Sequence, residues 1–481
     1  MTDLSRRRLL QGTAAVAGGA ALGAGPFRSF VAHAATPSHG RGRPANYGPL
    51  APVPDAADGV ERLLLPAGFR YRSFHMAGTP LGDERGTPTP IRSDGMAAFA
   101  GWGGSYVLVR NHEVNGPVGA FGDPAAAYDP MTGGGTTTAW VTKHGEVLGG
   151  HVSLNGTQMN CAGGRTPWRT WLTCEETVNG PDVGSDFTGG DNTVLTQQHG
   201  YLFEVPVDGQ SARVPIRSAG RFAHEAAAVD PLSGAIYLTE DNFDFPSGFY
   251  RYLPPRHPLW TRGVADGGVL QMLRVVDQPN AELSAGQAPG TTYRCDWVTI
   301  ADPDPTFPAG TTNNQALVAV GDQGRVQGAA HFARLEGAYH DNGTVYFVST
   351  QGGALASGDQ PPAGYGDGRG QVWAYEIWRR RLRLVYESPA AATIDLPDNV
   401  VTSRSGALVL CEDNVAPNFL RGLTADGQLF DFCQNNVPGQ LGDEFAGATF
   451  SPDFRTLFVN IQSNNSMSLA IWGPWQSGPF G

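Results

Sequence analysis

Acidic residues recur at matched places along this chain, and one cysteine stands among them. Asp94, Glu225, Glu336, Asp398 and Glu444 each open a short apolar stretch. Glu113 and the pairs Glu175-Glu176, Glu240-Asp241 and Glu412-Asp413 each close one. In the second copy the opening place is held by Cys161, where the third to sixth copies carry an acid. Any one of these twelve carboxylates reads by itself as a solvated strand end, the ordinary place for an acid. Six copies converging on one place are another matter, because like charges in proximity cannot all stay ionised without cations. Hard, oxygen-seeking ions are the natural partners, calcium first. A thiolate in register with carboxylates adds a position for a softer ion such as iron. Cysteine is common as a core hydrophobe, but its substitution for a carboxylate is better explained by Cys161 as a ligand. Arg334 is the main cation in the same motif set, with a donor fork shaped for phosphate or carboxylate oxygens. Cys174 and Cys411 precede the glutamate of their clusters and are expected to point the other way, into core or disulfides.

The elements that must position these groups follow from the spacing. Each copy reads as a strand, a turn such as Asp230-Pro231, Asp341-Asn342-Gly343 or Ser451-Pro452-Asp453, and a second strand. An aromatic strand usually follows, as in Tyr201–Val205, Phe249–Tyr252, Val372–Tyr375 and Leu429–Phe432, with Thr138–Val141 as the first copy's version. Six antiparallel units predict an all-β chain folded as a six-bladed β-propeller, whose inner strands bring equivalent positions together at the axis. A β-sandwich is the alternative, but it leaves six copies unexplained. The insertions Pro181–Gly200, Pro254–Arg294 and Gly352–Gly370 are expected as loops on one face.

The N-terminus carries Ser5-Arg6-Arg7-Arg8-Leu9-Leu10, then a short Ala/Gly-rich run, then Ala32-His33-Ala34. This pattern predicts a twin-arginine export signal over 1–34, a flexible leader over 35–45 and one propeller catalytic domain over 46–481. The implied partner is the twin-arginine export machinery, and the implied location is the medium or the cell envelope. No apolar run is long enough for stable membrane insertion by a helix. A formal charge of −12 argues against nucleic acid as a partner. The single lysine, Lys143, excludes P-loop and Schiff-base chemistry elsewhere. Five cysteines leave at least one without an intramolecular partner, and one or two disulfides are expected. No Gly-x-Ser-x-Gly elbow is present, and His112 and His224, beside presumed ligands, read as structural.

Several of these segments are more specific than the repeat. Asn160-Cys161-Ala-Gly-Gly164 with Thr166-Pro-Trp168 and Thr170-Trp-Leu-Thr-Cys-Glu-Glu176, then Arg334-Leu-Glu336-Gly337, then Phe450-Ser-Pro-Asp453 with Leu457-Phe-Val-Asn-Ile-Gln462 resemble the PhoX-type alkaline phosphatases. The resemblance implies an exported six-bladed propeller that hydrolyses phosphate monoesters at a diiron centre completed by calcium. It implies Cys161 as an iron ligand and Glu225 and Glu336 as bridging or metal-binding residues. Glu175, Glu176, Glu240 and Glu444 would be further acidic ligands, and Arg334 would hold substrate phosphate. The repeat adds Asp398 and Glu412 to this metal set. The chain departs from the family pattern at Ser463-Asn464, where His-Pro is usual, and at Arg169, where glycine is usual. Both departures are expected near the site, bearing on substrate choice and rate rather than fold. The remaining expectations are a small phosphate ester as substrate and a monomer. The rivals are a phosphodiesterase or lactonase on the same scaffold, or a binding propeller with structural calcium.

Overall fold

The computed structural model describes residues 44–355, 360–415 and 417–481. The segments expected as export signal, 1–34, and leader, 35–45, lie outside these residues except for 44 and 45. Strands dominate what is described, and they form six antiparallel blades, the third and fourth joined at their outer edges into one nine-stranded sheet through Thr292–Arg294 and Arg381–Arg383. Blade one contains Ser93–Ala100, Tyr106–His112, Gly134–Val141 and Val147–Thr157; blade two contains Asn160–Arg165, Thr170–Glu175 and Leu202–Pro206. Blade three runs from His224–Val229 through Ile236–Glu240 and Phe249–Leu253 to Val269–Val275 and Thr292–Thr299. Blade four contains Leu335–Asp341, Thr344–Ser349, Gln371–Glu376 and Arg381–Glu387, and blade five Pro397–Thr402, Leu408–Glu412, Phe419–Leu423 and Leu429–Asn435. Blade six is Glu444–Phe450, Thr456–Gln462 and Met467–Trp472, completed by Arg70–Phe74 from the N-terminal part of the described chain, with Ser468 opposite Phe74. Sharing a blade between the two ends of the described chain closes the ring and removes an open edge.

The strands are apolar on both faces because each blade packs against two neighbours. Ile236–Glu240 and Thr344–Ser349 are buried at every residue. Between blades three and four, Phe249 stacks on Phe347 at 4.4 Å, with Tyr237, Trp373 and Tyr375 in the same cluster. Full burial of each such side chain contributes about 1.5–3 kcal/mol.

One irregularity repeats around the axis and sets the site. Each inner strand bulges near its start: the pairings shift between Ser93 and Met96, Asn160 and Gly163, His224 and Ala227, Leu335 and Ala338, Pro397 and Val400, and Ala446 and Thr449. A bulge bends the strand and re-aims its side chains. Its second residue is Gly95, Ala162, Ala226, Gly337, Asn399 or Ala448, mostly small. The inner backbones nearly touch here: a β-carbon on Gly95 would lie 2.5 Å from the Cys161 carbonyl oxygen, and one on Gly337 2.8 Å from Asn399 Cα.

Several expectations change. Part of Pro254–Arg294 is not loop: Val269–Val275 is a strand paired with Phe249–Leu253 on one side and Thr292–Thr299 on the other, with Leu270 and Met272 packed into one core cluster and Leu273 and Val275 into another. Leu429–Asn435 is the fourth strand of its blade rather than the third. A helix, Asn313–Arg325, stands in the connection into blade four, started by a Thr312–Gln315 capping box. All five cysteines are free and buried, so the expected disulfides do not form. Cys174 and Cys411 fill core positions instead.

Candidate metal centre and phosphate clamp

The first bulge residues are Asp94, Cys161, Glu225, Glu336, Asp398 and, in blade six, Gly447. Glu444 is therefore not in register with Cys161; it lies three residues earlier and reaches the ring from a strand that continues outward, opposite Gln462. A second layer sits just past the end of the second strand in blades one to five. The amides of Glu113, Glu176, Asp241, Thr350 and Asp413 donate to the carbonyls of Arg92, Met159, Ala223, Arg334 and Leu396, at 2.9–3.1 Å. Strand alternation turns these residues toward the axis.

The two layers bring ligand-type atoms together in two overlapping sets. Atoms of Cys161, Glu176 and Glu225 lie within 4.8 Å of one another, and so do atoms of Glu225, Glu336 and Asp398. Glu225 belongs to both. Burial, and then repulsion from Asp398, holds its carboxyl well above the ordinary range. Burial followed by Asp241 does the same for Glu176 and Glu336, burial followed by Asp398 for Asp94, and burial followed by Asp413 for Glu444. The Cys161 thiol, its Sγ 3.6 Å from the carbonyl oxygens of Met159 and His224, is pushed up by burial and by Glu225. Such a cluster stores the cost of like charges in a dry place, which cations relieve.

Arg334 lies among them. Its Nη2 is 2.6 Å from Asp241 Oδ2 and 2.9 Å from Glu336 Oε1, and its Nε is 3.2 Å from Asp241. Phe243 lies under the guanidinium at 5.1 Å. Held along its Nε and Nη2, the fork keeps Nη1 free of any protein partner among the described residues.

Three nominated ligands are not brought to the axis. Glu175 accepts from the amides of Gln158, Gly200 and Tyr201 and from His199 Nδ1 at 2.6 Å. Glu240 accepts from Asn242, Gly248 N and Tyr250 Oη, each at 2.8 Å, and burial pushes it to about 7. Glu412 accepts from Asp395 N, Phe419 N and Arg421 Nε, and burial pushes it to about 7. All three are the last residue of a second strand, one step before the axis-facing residue, so alternation turns them into the blade. Asp94, Glu113, Asp241 and Asp413, expected in the ring though not in its metal set, do stand there. The signal for them was the same alternation. His112 and His224 are structural, bonded to Thr137 and to the Gly220 carbonyl. Arg169 is not near the site; it occupies the far hairpin of blade two, exposed, with Nη1 on the Ala100 carbonyl. Ser463 does border the ring, its carbonyl accepting from Arg92 N at 2.8 Å.

Residues 45–149 and 126–465 match the family model described as alkaline phosphatase PhoX. The chain belongs to the PhoX alkaline phosphatase family. It is therefore a phosphatase, and the fold agrees. The solved structure of Pseudomonas fluorescens PhoX with vanadate, a transition state analogue, superposes with a TM-score of 0.63 at 17% identity, covering 90% of this chain and 99% of that one. A gluconolactonase from Xanthomonas campestris gives a TM-score of 0.41 at 14% identity over 89% of this chain and 98% of its own, too low to carry weight. No curated protein matches by sequence. The long match to the PhoX model spans the bulges of blades two to six and the whole Arg334–Glu336 segment.

Proposed function

We propose that this chain is an exported hydrolase of phosphate monoesters, working at an axial cluster of iron and calcium ions. The observation that carries the reading is Glu225, shared by a set with a thiol and a set of carboxylates only. A buried thiol beside carboxylates fits a borderline ion such as iron; the purely oxygen set fits calcium. Cys161, Glu176, Glu225, Glu336 and Asp398 would hold these ions, with Glu444 at the rim. When bound, the ions supply charge neutralisation for the phosphoryl oxygens and activation of an oxygen nucleophile. Arg334 presents Nη1 to a phosphoryl oxygen, while Asp241 and Glu336 fix the plane of the fork. We read residues 1–34 as the twin-arginine signal, 35–45 as the leader and 46–481 as one catalytic domain acting as a monomer. No helix among the described residues is long and apolar enough to cross a membrane.

Elemental analysis of the exported protein, with p-nitrophenyl phosphate hydrolysis on the same sample, tests this reading. Iron with calcium, and activity lost on chelation, is the expected result. Calcium alone, with no hydrolysis after iron is resupplied, would replace it by a binding propeller.

A further inference from the structure

Arg334 has a counterpart. Arg92 stands two residues before the bulge acid of blade one, Asp94, as Arg334 stands two before Glu336. Both have left-handed backbones, φ 51° and 43°, and the carbonyl of each accepts the amide of the residue just past its blade's second strand, Glu113 or Thr350. Met159 and Leu396 share this conformation in blades two and five, so the backbone belongs to the fold. The cation belongs to blades one and four alone. In a six-bladed ring those two blades face each other across the axis.

The guanidinium of Arg92 is held as that of Arg334 is. Its Nε donates to the Glu113 carbonyl at 2.7 Å and its Nη2 pairs with the Glu113 carboxylate, leaving Nη1 without a protein partner among the described residues. The side chain is 38% exposed, against 18% for Arg334, so it stands further out. Each arginine precedes the inner strand of its blade at the same place, so both stand at one end of the ring. The carboxylates at that end, Glu113, Asp413 and Glu444, repel any substrate with a second negative group. A second fixed cation opposite Arg334 offsets that repulsion.

We infer that Arg92 is a second anion-binding arm of the site, selecting phosphate esters that carry another anionic group, a carboxylate or a second phosphate. The inference rests on the proposed phosphatase reading, but its test needs no turnover. Propylphosphonate and 3-phosphonopropionate differ in one terminal carboxylate, and neither is hydrolysed. Their dissociation constants are measured by calorimetry on wild-type holoenzyme, Arg92→Ala, Arg92→Lys and Arg334→Ala, with metal content determined on each. The expected result is a preference for the carboxylate-bearing ligand that falls about ten- to hundredfold in Arg92→Ala, the range for a hydrogen bond to a charged group. Arg92→Lys is expected to keep part of it, and Arg334→Ala to weaken both ligands. An unchanged ratio in Arg92→Ala, or equal loss of both ligands, overturns the inference. Absence of p-nitrophenyl phosphate hydrolysis by the wild type would count against the phosphatase reading alone.

Discussion

Glu175 and Glu176 are neighbours in sequence and lie on opposite sides of one strand wall. Glu176 faces the axis, within ligand distance of Cys161 and Glu225. Glu175 faces into its own blade, bonded to three backbone amides and His199. The same division separates Glu240 from Asp241 and Glu412 from Asp413. One of each pair builds the wall and the other builds the site.

The pair can be separated by substitution. Glu175→Ala strands three buried amides and the His199 ring, and is expected to cost about 3–5 kcal/mol, read as a lowered denaturation midpoint. Glu176→Gln is expected to leave stability of the metal-free protein equal or higher while reducing bound metal. If Glu175→Ala instead lost metal at unchanged stability, the division would be wrong.

Arg334→Ala removes the fork at the phosphoryl group. The expected loss in kcat/KM corresponds to about 2–3 kcal/mol, or roughly 30- to 150-fold, with metals retained. Wild-type kinetics in this variant would rule out the clamp.

Cys161→Ser keeps size and burial but removes the soft donor. Iron content is expected to fall steeply and calcium much less, checked by mass spectrometry of metals on the folded protein. Equal retention of iron would remove Cys161 from the ligand set.

The metal-free protein should lose stability as pH rises. The carboxyls of Asp94, Glu176, Glu225, Glu336 and Glu444 are held above their ordinary range in the fold. The folded chain thus keeps protons that the unfolded chain releases near pH ~4.5, and stability falls from there through the raised folded values. The Tm of a chelated sample is expected to be several degrees lower at pH 8 than at pH 5.5, and the metal-loaded sample to resist the fall. A flat profile after chelation would show that the ring is not strained by its own charge.

Gly337→Ala tests the narrow axis. Its β-carbon would meet Asn399 Cα at 2.8 Å and the Asp398 carbonyl oxygen at 2.9 Å, both backbone. Overpacking of this kind costs about 1–3 kcal/mol, and since it displaces the bulge carrying Asp398, metal affinity is expected to fall with stability.

Much was legible in the chain itself. Six copies of one hairpin, five opened by an acid and one by Cys161, specified six blades, because a two-strand unit with two apolar faces must find neighbours on both sides. The in-register Cys161 and the Arg334–Glu336 segment marked the site for the same local reason: spacing along a strand fixes which face a residue takes. What spacing could not fix was where each strand ends and how far it bulges. A shift of one residue exchanges wall for site, so spacing alone places Glu175, Glu240 and Glu412 in the ring beside Glu176, Asp241 and Asp413. Ring closure by Arg70–Phe74, the free state of all five cysteines and the facing of Arg92 by Arg334 depend on contacts between segments hundreds of residues apart. Only the packed ring decides those, since no local pattern records which distant backbone comes within reach.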